Sequence, residues 1–329
     1  MLGASGLLGT AVTRELAARP IRLRLVGRRP TSVPDRPRAD IERRAADLTE
    51  PHELAHVVAG ADAIVHLVAH LAGPATWRVS EGDQVAERVN LGIVHDLISV
   101  LRAQSPAGPP VVLFAGSMSQ VGHPVVGRID GTEPDNPLTT YDRQKQAAED
   151  ALTAATEEGV LRAVTLRLAT LFSQGTDSIA LDRGVVSAMA RRAYAGEPLT
   201  MWHDGTVKRD LLCVDDAAAA FASAIDHADV LSGKHWLVGT GRATSIAGLF
   251  HHIAEMMAAA TGRPPVPVIS TEPAEQSLLT DRVDFVLDPE PFYRATGWRA
   301  RIPLADALKR TAVAVADHAS RARDTTVNA

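Results

Sequence analysis

The chain of 329 residues contains a single cysteine, Cys213. No disulfide can form within it, so a stapled secreted scaffold is excluded and a reducing cytoplasm is the simplest home. Cys213 itself reads as a small core residue, because cysteine is among the most buried residue types. No apolar run approaches the roughly 20 residues needed to span a bilayer. The opening Met1-Leu2-Gly3-Ala4-Ser5-Gly6 lacks the basic region and apolar stretch of a signal peptide. Charge excess is also missing. With 22% charged residues and a net charge of -5, neither nucleic-acid affinity nor disorder is implied. The 12 histidines include no His-Glu-x-x-His or comparable ligand spacing. His251 and His252, adjacent on a helix, face different directions, so no metal is expected. There is no internal repeat and no low-complexity segment.

What is present is alternation. Ile21 to Val26, Ala61 to Ala69, Val111 to Ala115 and Arg162 to Leu168 read as strands, several apolar enough to be buried on both faces. Helical patterns lie between them at Leu7 to Arg19, Glu53 to Ala59, Val85 to Arg102 and Thr140 to Glu158. This order predicts an α/β fold, a parallel sheet covered on both sides. Further helices are expected at about 184–195, 215–227, 245–260 and 303–318, with a proline-rich loop from Pro264 to Pro273 and a frayed polar tail after Ala319.

Gly3-Ala4-Ser5-Gly6-Leu7-Leu8-Gly9 has the spacing G-x-x-G-x-x-G and opens a helix. Glycine lets backbone approach a pyrophosphate, and the helix start offers free N–H groups and a positive dipole end. Alone, the same spacing also fits tight packing. Such a turn normally follows a strand, yet Gly3 arrives after two residues. The true start is therefore expected to lie a few residues upstream. At the end of the next strand stands Gly27-Arg28-Arg29-Pro30, with no acidic residue to take a ribose 2′-hydroxyl. Two guanidiniums suit the 2′-phosphate of NADP, although a solvated basic turn is the plainer reading. Asp47-Leu48, ending the third strand, would hold the adenine, and Leu67-Val68-Ala69 would line the nucleotide cleft.

Tyr141-Asp142-Arg143-Gln144-Lys145 gives Tyr-x-x-x-Lys, and a spacing of four puts both side chains on one helix face. A free tyrosine, with a pKa of about 10, is a poor acid–base group near neutrality. A neighbouring ammonium is expected to lower it. Upstream, the strand Val111 to Ala115 runs into Gly116-Ser117-Met118-Ser119, placing a hydroxyl at a strand end, where open α/β sheets bind ligands. Glycine turn, strand-end serine and Tyr/Lys pair, in this order, are far more specific together than singly.

On these motifs the chain resembles an extended short-chain dehydrogenase/reductase of the nucleotide-sugar epimerase, dehydratase and reductase group, over nearly its whole length. The resemblance implies a Rossmann-type, doubly wound parallel sheet in residues 1–170 that binds NADP(H). Residues 171–329 would form mainly a smaller, mixed substrate domain, with some segments returning to the first. Ser117, Tyr141 and Lys145 fall on the family's catalytic positions. Gly3, Ser5, Gly6, Leu7, Leu8, Asn90 and Leu168 fall with the cofactor contacts, beside Arg28, Arg29, Asp47, Leu48, Leu67, Val68 and Ala69. Thr170 replaces the family's usual asparagine at the next strand end. Arg209, in Gly205-Thr206-Val207-Lys208-Arg209-Asp210, and Arg282, in Asp281-Arg282-Val283-Asp284, fall where the family holds a sugar-nucleotide diphosphate, although surface ion pairs would also account for them. Met118, Ser119, Trp77 and Trp202 complete the candidate substrate contacts, the two tryptophans being equally readable as packing.

The family's 4,6-dehydratases carry an Asp–Glu pair directly after the catalytic hydroxyl. Met118 and Ser119 stand there instead, which argues against that elimination. A net reductase consumes reducing equivalents, so Arg28 and Arg29 favour it over an epimerase. The segments Ala4-Ser5-Gly6, Gly27-Arg28-Arg29-Pro30, Val68-Ala69-His70 and Ala75-Thr76-Trp77-Arg78 further resemble the 4-ketoreductases of antibiotic deoxysugar pathways. These imply a dTDP-4-keto-6-deoxyhexose as substrate, with no nucleic-acid or membrane partner, and a homodimer is usual for the family. An epimerase, a reductase of a non-sugar carbonyl, and a non-catalytic NADP-sensing regulator are the alternatives. The last commonly lacks the Tyr/Lys pair.

Overall fold

The computed structural model describes residues 1–70, 79–123, 128–172, 184–272 and 279–327. Five strands and their connections build the larger layer: β1 (Arg22–Gly27), β2 (Asp40–Ala45), β3 (Ala63–His66), β4 (Val111–Ser117) and β5 (Arg162–Leu168). The strand Lys234–Val238 joins β5 at one edge, and β2 pairs with β1 at the other. All these pairings are parallel. Between β1 and β3 sits Leu2, bridged in parallel to Val26 on one side and His66 on the other. Its N–H donates to Val65 O at 2.8 Å, and its carbonyl accepts from Leu67 N–H at 3.0 Å. Met1-Leu2 thus occupies the central strand position, giving the order β2, β1, Leu2, β3, β4, β5, Lys234–Val238.

Alternation along β4 shows why the sheet is covered twice. Val111 and Leu113 pack into one apolar cluster with helices Leu7–Ala17 and Val214–Asp226. Val112 and Phe114 pack into another with helices Pro51–Val58, Ile93–Gln104 and Thr140–Glu157. Side chains of successive residues leave a strand on opposite faces, so a strand apolar throughout feeds both. A third cluster lies in the second half, around Phe172, Leu199, Leu249, Ile253 and Leu308. The chain does not divide cleanly at residue 170. Helix 214–226, strand 234–238, Phe285, Phe292 and Trp298 all belong to the first cluster or its sheet.

Two expectations are corrected. Val268–Thr271, within the proline-rich stretch, is a strand parallel to Leu199–Trp202. Cross-strand pairing rather than local pattern decides it. The last helix runs from Leu304 to Val327, past the expected fraying point, because no glycine or proline stops it. The helix expected over Val85 to Arg102 is present from Gln84 to Gln104, with one wider turn, Arg88–Gly92, inside it. Cys213 is buried, and burial pushes its thiol up to about 11, which leaves it an inert core group. Among the described residues no helix is long and apolar enough to cross a membrane, and no group of His, Cys, Asp and Glu could hold a metal ion.

Candidate active site

The glycine turn leads from Leu2 into helix 7–17. Gly3 has φ +85°, and a Cβ there would lie 3.0 Å from the carbonyl carbon of Leu67. At Gly9 a Cβ would stand 2.1 Å from Gly3 O and 2.8 Å from Ala4 O. These are backbone contacts, so the turn can close on the end of β3 only with glycine at both positions. No side chain caps the helix at Gly6, which leaves its first N–H groups to an incoming anion. Ser5 lies under Gly27, where a Cβ would meet its Oγ at 3.0 Å. Gly9→Ala is expected to lower Tm by several degrees and weaken dinucleotide binding at least about tenfold, an overpacking cost of about 1–3 kcal/mol. Fluorescence titration with NADPH checks it, and unchanged affinity would mean that the turn does not carry the phosphates.

The other candidate cofactor residues follow strands β1, β2 and β3. Arg28 and Arg29, just beyond β1, are exposed. Beyond β2, Asp47 Oδ1 accepts from Thr49 N–H at 3.0 Å and Thr49 Oγ1 at 2.7 Å, and these bonds hold its carboxyl below the ordinary range. One carboxylate oxygen is therefore engaged in closing a turn. Leu48 is buried, Leu67 and Val68 half-buried and Ala69 exposed. All stand at carboxyl ends of parallel strands, where the fold opens a crevice.

Ser117 ends β4 and caps a short 3₁₀ turn, Met118–Val121, while the Gln120 side chain accepts from Ser117 N–H at 2.8 Å. Helix 140–157 starts at Thr139, whose Oγ1 accepts from Asp142 N–H. It is tied to the β4 end twice. Lys145 Nζ donates to Ala115 O at 2.9 Å, and Ser119 Oγ donates to Asp142 Oδ1 at 2.5 Å. The ammonium lies 4.5 Å from the Phe114 ring centre and 5.7 Å from that of Tyr141. Burial lowers the Lys145 pKa to about 8. The expected lowering of Tyr141 is not found. Burial, and then the adjacent Asp142 carboxylate, push the phenol upward, outweighing an ammonium whose proton is directed at a carbonyl. Tyr141 is thereby held protonated at neutral pH, as a proton donor must be.

Asn90, in the wide turn, is fully buried. Its Oδ1 accepts from His70 N–H at 2.7 Å, and its Nδ2 donates to His70 O at 3.2 Å and Gln144 Oε1 at 2.8 Å. It thus ties the end of β3 to the Tyr/Lys helix from behind, with its amide already engaged. His66 is also buried, with no hydrogen-bond partner on either ring nitrogen, and burial lowers its pKa to about 3.

Beneath Ser117 lies a buried charge cluster that the sequence did not announce. Gln120 Nε2 donates to Glu149 at 3.0 Å. Arg167 donates to both Glu149 oxygens, at 2.8 and 3.0 Å, and forms a two-pronged pair with Asp135 at 2.6 and 2.7 Å. His235 Nδ1 lies 3.0 Å from Glu149. Burial raises the Glu149 pKa, but bonds from His235, Arg167 and Gln120 outweigh it and bring it down to about 2. The sequence signal for it was Arg167, a charge inside the mostly apolar strand β5.

The candidate substrate residues are spread more widely. Met118 is buried, and the Ser119 hydroxyl is engaged with Asp142 and Ser117. Leu168, ending β5, is buried. Thr170 N–H donates to Asp210 O at 3.0 Å, and Trp202 ends the strand Leu199–Trp202, half-buried. Arg209 sits over the Phe285 ring at 5.3 Å and donates to Val283 O, which draws it to the segment bearing the exposed Arg282. Trp77 lies outside the described residues.

The chain is similar to several known proteins. A family model described as NAD dependent epimerase/dehydratase family matches residues 1–239. The chain is similar to the 2'-dehydrokanamycin reductase of Streptomyces kanamyceticus, 29% identical over 227 residues, which is 67% of this chain but only 55% of that protein. It is 27% identical over 237 residues to the dTDP-6-deoxy-L-talose 4-dehydrogenase (NAD(P)(+)) of Kitasatospora kifunensis, covering 69% of each. The UDP-glucose 4-epimerase of Thermus thermophilus, solved with NAD, superposes with a TM-score of 0.76 at 22% identity, over 96% of this chain and 97% of that one.

Proposed function

The chain belongs to the NAD dependent epimerase/dehydratase family, and on that premise we propose that it is an NADPH-dependent reductase of the C4 ketone of a dTDP-4-keto-6-deoxyhexose. The reading rests on one observation above others: a protonated, half-buried Tyr141 with a buried lysine ammonium 5.7 Å from its ring, on a helix tied through Lys145 and Asp142 to the end of the strand that carries Ser117. The turn fits a dinucleotide, since its glycines leave no room for a Cβ and its helix start is uncapped. Gly3, Ser5, Gly6, Leu7 and Leu8 would hold the pyrophosphate, and Arg28 and Arg29 the 2′-phosphate.

Bound NADPH supplies the hydride. Tyr141 donates its proton to the carbonyl oxygen as negative charge grows there. Ser117 hydrogen-bonds the same oxygen, and such stabilisation is worth about 3 kcal/mol in general. Lys145 keeps a positive charge near the phenol and would reach the nicotinamide ribose. Arg209 and Arg282 would take the diphosphate of the nucleotide. A homodimer through helices 93–104 and 140–157 and a cytoplasmic setting belong to the same reading, carried by the family resemblance and the composition.

The test is anaerobic assay of purified protein with NADPH, then NADH, against a panel of dTDP-4-keto-6-deoxysugars. NADPH consumption with at least one is expected. Consumption with none, together with interconversion of nucleotide sugars, would replace the reading with an epimerase. Arg28→Ala/Arg29→Ala is expected to raise the NADPH KM about tenfold and leave that for NADH nearly unchanged, since charge-assisted hydrogen bonds at an exposed site are worth about 1–2 kcal/mol. An equal effect on both cofactors would remove the 2′-phosphate from the account.

A further inference from the structure

Asp142 is an odd neighbour for a catalytic tyrosine. It is 2% exposed, yet its hydrogen-bond partners are hydroxyls rather than a guanidinium or ammonium. Thr139 Oγ1 accepts from Asp142 N–H at 3.1 Å, so its own proton is free to go to Asp142 Oδ2, 2.6 Å away. Oδ1 faces Ser119 Oγ at 2.5 Å, and Ser119 Oγ lies 2.7 Å from Ser117 Oγ. Ser119 N–H also reaches Ser117 Oγ, at 3.3 Å. An unbroken line of oxygens therefore runs from a buried carboxyl to the hydroxyl that would meet the substrate.

We infer that Asp142 and Ser119 are positioning residues that set whether the Ser117 hydroxyl donates or accepts. With Asp142 ionised, the Ser119 proton must point to Oδ1. Ser119 Oγ then accepts the Ser117 proton, and Ser117 shows the cleft a lone pair, which suits an alcohol. With Oδ1 protonated, the line reverses: Asp142 donates to Ser119, Ser119 to Ser117, and Ser117 turns its proton towards the cleft, which suits a ketone. The reversal takes up one proton from solvent at Oδ1 and rotates two O–H bonds; no other bond forms or breaks. Chains of this kind polarise one another, which is why the effect reaches Ser117.

The charged and titratable surroundings act in both directions. Burial pushes the Asp142 carboxyl up, while Ser119, Thr139 and the exposed Arg143 pull it down. Tyr141 and Lys145 stand on the same helix, and the 3₁₀ turn Met118–Val121 brings no titratable group. The helix start at Thr139 favours the ionised form.

The inference rests on the reductase reading for its effect on turnover, so its test has two parts. Asp142→Asn keeps the shape. Thr139 must donate to the amide oxygen, which leaves the amide N–H facing Ser119 and locks the line in its ketone-binding sense. Ketone reduction in Asp142→Asn is expected to persist and to lose its dependence on the Asp142 ionisation, while alcohol oxidation slows about tenfold. Ser119→Ala is expected to slow both directions about tenfold, with KM little changed. Equal slowing of both directions by Asp142→Asn would overturn the inference. The second part needs no turnover: ¹³C NMR titration of the Asp142 carboxyl, identified by its absence in Asp142→Asn. Removing a hydroxyl two links away, in Ser117→Ala, is expected to move its ionisation constant at least about threefold. No movement overturns the relay even if ketones are reduced; movement without any ketone reduction upholds it while the reductase reading falls.

Discussion

Tyr141→Phe is expected to lose about a thousandfold in kcat for ketone reduction and to bind NADPH nearly as tightly as the parent protein. A positioned general acid contributes about 10²–10⁴-fold, and phenylalanine keeps the ring while removing the only proton that Tyr141 can give. The phenol is pushed upward by burial and then by Asp142, so it is fully protonated at neutral pH, although a weaker acid than a free phenol. Lys145 adds a pH signature. Burial brings its pKa down to about 8, so its charge is present below that pH and lost as pH rises through it. The parent kcat should accordingly fall above about pH 8, and Lys145→Met should remove that limb. Rapid-mixing measurement of NADPH oxidation across pH checks both. Full turnover by Tyr141→Phe would end the assignment.

The second large effect concerns stability. Arg167→Leu is expected to cost about 3–5 kcal/mol, because it leaves Glu149 and Asp135 facing an apolar side chain with no cation between them. The sign of the pH dependence separates this from simple loss of packing. In the parent protein the Glu149 pKa is lowered from 4.5 to about 2, so its stabilisation, on the order of 3 kcal/mol, is complete above pH 4.5 and drains away as pH falls towards 2. Without Arg167 the same carboxyl is buried against a weaker partner set, and protonating it brings relief. The deficit of Arg167→Leu should therefore be largest near neutrality and shrink towards pH 4. Urea unfolding at several pH values measures it. A deficit independent of pH would mean that the guanidinium serves only as filler. Arg167→Met with Glu149→Gln should recover part of the loss, since a buried pair replaced by groups of similar volume is often close to neutral.

These two sites also mark where the sequence was readable and where it was not. Strands such as Val111–Ser117 and Arg162–Leu168 stand out because a parallel strand covered on both faces is apolar along most of its length. Strand Asp40–Ala45 has no such pattern; four of its six residues are charged, and pairing with Arg22–Gly27 makes it a strand. Tyr141, Lys145, Ser117 and the glycines were legible because their chemistry demands particular residue types at particular spacings. Asp142 sat in full view inside the Tyr-x-x-x-Lys segment but had no meaning until the turn after β4 brought Ser119 against it. Arg167, Glu149, Asp135 and His235 come from four separate stretches of chain, and nothing local links them. Even the motif residues hid one reversal: four residues of spacing predicted a lowered phenol, and three-dimensional burial raised it.

The Met1–Ala4 segment at the centre of the sheet has a thermodynamic consequence. Among the described residues it joins β1, where Val26 N–H donates to Met1 O and Gly3 and Ala4 N–H donate to Val26 O, to β3, where Leu2 N–H donates to Val65 O and Leu67 N–H to Leu2 O. The arginines proposed for the adenosine end stand on one bank of this segment, and Ser117, Tyr141 and Lys145 on the other. A dinucleotide lying across both banks would act as a rivet. Part of its binding free energy would go into suppressing local opening, so that amide exchange in Arg22–Gly27 and Asp40–Ala45 slows more than in β4 and β5 once the ligand is bound.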